Sequence, residues 1–324
     1  MENQDLNRQI LQDKTKNGKD RKWKERKLSS IELGKRLEKL DYRSFERTYQ
    51  CAEVLEFTKA IDTNDLTLKC AWFCKNKLCS LCNWRRSMKY SYQAQEIVKK
   101  AIELYPNGRF LFLTLTVKNI DAKDLNSSLS ELTKSFDRLF RRAKIQKNLL
   151  GFLRSTEVTR NQETGLYHPH IHVLLFVKST YFKGEENYIS QEEWTGLWKQ
   201  SAKLNYVPVV DVRAVKPKNK TKNTKDGLIG AILETAKYPT KPIDILGETE
   251  DQKLEITDDL MKGLYRKRQI AFGKLFKTIK KELDFDDVEN GDLVNVENNE
   301  DDILNVAQTV IAKWNWERKN YYIN

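Results

Sequence analysis

The chain has 324 residues, enough for one large domain or two smaller ones, with 39% apolar and 10% aromatic residues to build a core. Its 58 Lys and Arg against 46 Asp and Glu leave a formal charge of +12. That balance favours polyanionic partners, nucleic acid first, although a solvated basic surface has the same composition. The N-terminus lacks an apolar signal core, no apolar run approaches a membrane span, and the cysteines cluster rather than spread. These features argue against a secreted disulfide framework and for a cytoplasmic protein.

Residues 1–28 are polar and rich in Lys and Arg, a mobile basic arm that either brushes phosphates or aids solubility. Residues 30–59 turn helical, with Ser29 or Ser30 as cap and Ile31, Leu33, Leu37 and Leu40 as the apolar stripe. Cys70, Cys74, Cys79 and Cys82 follow. Four thiolates at such short spacings can close a tetrahedral structural zinc site, with ordinary buried cysteine as the competing explanation. Arg85, Arg86 and Lys89 come directly after, so the module of residues 29–105 is expected to bind DNA by aiming a basic helix start at it. Cys51 stands apart and reads as core rather than ligand.

The turn Pro106-Asn107-Gly108 introduces an apolar strand over 110–117, and Leu129, Leu132, Phe136, Leu139 and Phe140 mark an amphipathic helix over 127–145. A strand over 152–159, a polar turn over 160–165 and a second strand form a hairpin. The second strand holds all 3 histidines of the chain, His168, His170 and His172. Alternate strand residues share a face, which brings His170 and His172 within about 7 Å of each other. A turn centred between Gln162 and Thr164 sets Glu157 opposite His170. A carboxylate beside two imidazoles suits Mg²⁺ or Mn²⁺ better than a structural zinc. Pro169 leaves the strand geometry at His168 open, so the third ligand is either Glu157 or His168. The bland alternative is a surface hairpin with idle histidines.

Ser190 and Glu193 form a capping box for a helix over 190–204, and a strand over 207–215 leads into a basic loop. The helix beginning near Gly227 is stopped by Pro239. Glu234 and Tyr238, four apart, share a face of it, with Lys237 and Lys241 flanking the tyrosine. A surface helix end with a packing tyrosine has the same pattern. The region 251–324 is expected to be a helical extension: a basic helix over 254–283, a flexible acidic linker over 284–302, and a last helix carrying Trp314 and Trp316. No Gly-rich loop ending in Gly-Lys-Ser/Thr is present, so no ATPase is visible.

A divalent ion between imidazoles and a carboxylate can polarise a phosphate oxygen, and a tyrosine whose phenolate is favoured by metal or lysine charge can attack phosphorus. Such an attack exchanges one ester for another and needs no ATP. His170-Ile171-His172 running into an apolar strand resembles the two-histidine signature of the HUH endonucleases. The chain is similar to the rolling-circle replication initiator (Rep) proteins of small Gram-positive plasmids. Phe112-Leu113-Thr114-Leu115-Thr116 resembles the first motif of that family and the stretch from His168 to Leu175 the second. Glu234 with Tyr238, four residues on, resembles the third. The likeness spans roughly residues 106–245, in the order of the family's motifs.

The resemblance implies an α+β fold whose nuclease core, residues 106–250, is a central antiparallel sheet of the RRM/ferredoxin-like type. Helices would cover one face, and the metal and tyrosine helix the other. It implies that Tyr238 nicks one strand at the plasmid's double-strand origin and keeps the 5′-phosphate. Glu234 would activate water for the terminating cleavage, and a host helicase and DNA polymerase would extend the free 3′-OH. A single-tyrosine transposase and a conjugative relaxase use related parts. A zinc-dependent nucleic-acid-binding protein without catalysis is the rival from another class, and it has no use for the histidine cluster.

Overall fold

The computed structural model describes residues 9–15, 17–61, 63–215, 224–236, 247–296 and 306–323. Two antiparallel sheets with helices packed on them make an α+β fold. Helices α1 (Trp23–Lys39) and α2 (Phe45–Gln50) precede the hairpin β1 (Val54–Ala60) and β2 (Leu66–Ala71). The long helix α3 (Ser80–Leu104) then carries the chain to β3 (Arg109–Thr116). After α4 (Leu125–Phe140) and α5 (Ala143–Asn148) come the hairpin strands β4 (Leu149–Arg160) and β5 (Tyr167–Val177). Next follow α6 (Gln191–Ser201), β6 (Val210–Ala214), α7 (Thr224–Ala236) and α8 (Glu250–Gly263). The chain ends with β7 (Ile270–Lys274), α9 (Leu275–Glu282) and the hairpin β8 (Val306–Asn315) and β9 (Asn320–Ile323). No helix among the described residues is long and apolar enough to cross a membrane.

The larger sheet runs β6-β3-β5-β4-β7, so β5 is its central strand. Its sequence is apolar on both faces beyond the histidines, and both faces are covered. Ile171, Val173 and Leu175 pack with Leu132, Phe136, Trp194 and Trp198 of α4 and α6. Leu174 and Phe176, on the other face, pack with Ile97 of α3, Ile232 of α7 and Phe276 of α9. Helices therefore lie on both faces, where a layer on one face and a single tyrosine helix on the other was expected. The alternation of β5 puts His170 and His172 on the α3–α7–α9 face, at the N-terminal end of its apolar run.

The smaller sheet, β2-β1-β8-β9, corrects the helix expected near the C-terminus. β8 pairs antiparallel with β1 along its length, and Val310, Ala312 and Trp314 alternate inward. The expected basic helix over 254–283 is likewise interrupted. Lys267 is followed by the edge strand β7, which pairs with β4, and Lys274 at φ 52° breaks the chain into α9. Within the basic arm, residues 1–8 and 16 lie outside the described residues, but others are anchored. Ile10 bridges to Tyr322, Trp23 is buried, and Trp23 Nε1 donates to Asp13 Oδ2 at 2.7 Å.

The acidic segment is partly docked as well. Arg85 Nε donates to the carbonyl of Leu293 at 2.8 Å, Lys89 Nζ lies 2.8 Å from Asp286 Oδ2, and Tyr90 OH donates to Glu289 Oε1 at 3.2 Å. Opposite charge on α3 and on residues 284–296 joins the two. Arg85, Arg86 and Lys89 are therefore buried in the protein rather than presented to DNA. Residues 297–305 lie outside the described residues.

Candidate metal centre

The β4–β5 hairpin has the register that places Glu157 opposite His170, with Ser155 opposite His172. The turn that sets it is held by Asn161, whose side chain accepts from the amides of Glu163 and Thr164 and whose carbonyl accepts from that of Gly165. Gly165, at φ +72°, closes it in a conformation that a Cβ would strain.

Glu157, His170 and His172 bring one ligand atom each to within 4.8 Å of one another. His170 Nε2 and His172 Nε2 lie 3.5 and 3.6 Å from the same oxygen, Glu157 Oε2. The other nitrogen of each ring is occupied. His170 Nδ1–H donates to the carbonyl of His168 at 3.1 Å, so Nε2 is the ring nitrogen turned toward Glu157. His172 Nδ1 lies 3.1 Å from Thr114 Oγ1, its directly paired neighbour on β3. A hydrogen-bonded far nitrogen is the arrangement that fixes a metal-ligating imidazole. Two imidazole nitrogens and one carboxylate on one sheet face, reached from a partly open side, suit a borderline or hard divalent ion with positions left for substrate oxygens.

Burial by itself would raise the Glu157 carboxyl. Hydrogen bonding and charge from His170 and His172 outweigh it and hold the group well below the usual carboxylate range. The His168 ring is centred 5.2 Å from that of His170, on the same strand face, but it is not one of the converging trio. Burial, with the neighbouring His170 second, pushes its imidazole below the ordinary value. What His168 gives the centre is its carbonyl.

Helix α7 packs across β4 and β5 on the histidine face, with Ile232 and Ala236 buried against the cluster that holds Leu153 and Leu174. Glu234 lies in the last turn of this helix. Tyr238, Lys237 and Lys241 lie outside the described residues. Thr114 is the contact that sequence reasoning left without a role. The pairing of its strand with β5 was the available signal, since Thr114 falls opposite His172 once the two strands are neighbours.

The four-cysteine set differs from the expected one. Cys70 is exposed on β2, paired with Glu56, because it falls on the outward side of a half-buried strand. Cys51, at the end of α2, joins Cys74, Cys79 and Cys82 instead, and all four are buried.

A family model described as replication protein matches residues 65–322. A Protein rep of Streptococcus pneumoniae serotype 2 is 54% identical over 99% of this chain and 97% of its own length. A Protein rep of Lactiplantibacillus plantarum is 47% identical over 97% of this chain and 99% of its own. A Replication protein of Staphylococcus aureus is 46% identical over 73% of this chain and 99% of its own. No solved structure matches the chain. With a match that takes in the whole larger sheet, the histidine hairpin and α7, and with relatives similar from end to end, the chain belongs to the replication protein (Rep) family.

Proposed function

We propose that this protein initiates plasmid rolling-circle replication as a DNA-nicking transesterase of the HUH type, acting in the cytoplasm on its own origin. The observation that carries the reading is the pair of Nε2 atoms from His170 and His172 converging on Glu157, on the sheet face crossed by the helix that leads to Tyr238. Glu157, His170 and His172 would hold Mg²⁺ or Mn²⁺, which would supply Lewis-acid polarisation of the scissile phosphate.

The chain's own residues do the rest. The Tyr238 oxygen attacks phosphorus, its proton passing to solvent or a neighbouring base. The new bond is a 5′-phosphotyrosine link, and the bond to the departing 3′ oxygen breaks. Lys237 and Lys241 favour the phenolate by charge. The freed 3′-OH is extended by a host polymerase behind a host helicase. Glu234 takes a proton from water in the terminating cleavage, so the protein leaves without a second covalent link.

The test is relaxation of a supercoiled plasmid that carries the protein's own origin, in Mn²⁺. His170→Ala and His172→Ala should abolish nicking, and Glu234→Ala should nick but fail to terminate. Nicking that survives both histidine changes sinks the metal assignment.

A further inference from the structure

We propose that Cys51, Cys74, Cys79 and Cys82 bind a single structural zinc ion as a closed tetrathiolate site. Cys51 Sγ lies 3.6 Å from Cys79 Sγ and 3.6 Å from Cys82 Sγ, and Cys74 Sγ lies 3.6 Å from Cys82 Sγ. A tetrahedron with Zn–S bonds of about 2.3 Å has S–S edges of about 3.8 Å, close to these separations, whereas a disulfide needs about 2.05 Å.

Hydrogen-bond donors face the sulfurs. The amide of Cys74 donates to Cys51 Sγ at 3.4 Å and the amide of Lys75 to Cys82 Sγ at 3.2 Å. Ser30 Oγ lies 3.2 Å from Cys79 Sγ. Cys79 is the N-cap of α3 and Cys82 sits in its first turn, where the positive end of a 25-residue helix favours anionic sulfur. Lys27 is wholly buried next to the cluster, its ammonium donating to the carbonyls of Tyr49 at 2.6 Å and Cys51 at 2.8 Å. Zinc with four thiolates carries net negative charge and balances that buried cation; four neutral thiols would not.

The site is closed, with four protein ligands and no room for a substrate, so its role is structural. It ties the end of α2, the chain leaving β2 and the start of α3 at one point. The smaller sheet is thereby fastened to the helix that runs beneath the histidine face of the larger one.

The experiment is metal analysis of the full chain, purified without chelator. Wild type should carry one zinc, and Cys70→Ser and His172→Ala should keep it, whereas Cys51→Ser and Cys82→Ser should lose it. Because the last two can fail to fold, wild type is also read directly. Titrating its thiols with a mercurial should release zinc, and Co²⁺ exchange should give the visible bands of a tetrahedral tetrathiolate. Zinc-free protein without a Co²⁺–thiolate spectrum, a disulfide among the four, or loss of zinc in Cys70→Ser with retention in Cys51→Ser overturns the proposal.

Discussion

Thr114 and His172 face each other across β3 and β5, and the Thr114 hydroxyl lies 3.1 Å from His172 Nδ1. With Nδ1 held there, Nε2 is the atom turned toward Glu157. Thr114 thus positions the imidazole of His172. Removing such a partner weakens metal binding by about 10- to 100-fold. Thr114→Val is therefore expected to weaken Mn²⁺ binding by that range in calorimetry, and Thr114→Ser to restore most of it. Equal affinities for Thr114→Val and wild type would remove the positioning role.

The three histidines should separate. His170 and His172 converge on Glu157, whereas His168 offers a carbonyl. His168→Ala is expected to hold Mn²⁺ within a few-fold of wild type, while His170→Ala abolishes binding. If His168→Ala loses the ion as His170→Ala does, the trio is wrongly chosen.

Glu157 makes a prediction about acid. Its carboxyl lies below the usual range in the fold, so the folded state binds its proton less tightly than the unfolded chain does. The stabilisation is present above the unfolded value of about 4.3 and is lost as pH falls toward the lower folded value. Without metal, urea midpoints of wild type and Glu157→Gln should differ in favour of wild type at about pH 5, and the gap should shrink at about pH 3. A gap that widens on acidification contradicts this sign.

The start of β5 is fastened to α8 by Tyr167, whose hydroxyl donates to Asp259 Oδ2 at 2.8 Å. Burial raises the Asp259 carboxyl, so losing the donor leaves a poorly solvated acid. Tyr167→Phe should cost about 1–3 kcal/mol in denaturant unfolding. An unchanged midpoint would mean that water replaces the hydroxyl.

The histidine hairpin was legible because period-two alternation and a turn of defined length together fix a register, and Glu157 opposite His170 needs nothing more. Cys51 was not, because it reaches Cys74 across 23 positions of chain that first form a hairpin. No local spacing carries that contact. β8 hid for a similar reason. Trp314 and Val310 are as compatible with a helical stripe as with a strand until β1 is known to be its partner. The edge strand β7 is only five residues long and lies between two basic helical stretches, too short for its own period to stand out.

We propose that Tyr238 is the nucleophile that works with the Glu157–His170–His172 centre. The most direct test is to incubate the full chain with a single-stranded oligonucleotide of its own origin and Mn²⁺, digest the product and map the nucleotide-bearing peptide by mass spectrometry. The account predicts a 5′-phosphonucleotide on Tyr238 and no adduct from Tyr238→Phe. An adduct on another residue, or one that persists in Tyr238→Phe, would contradict it.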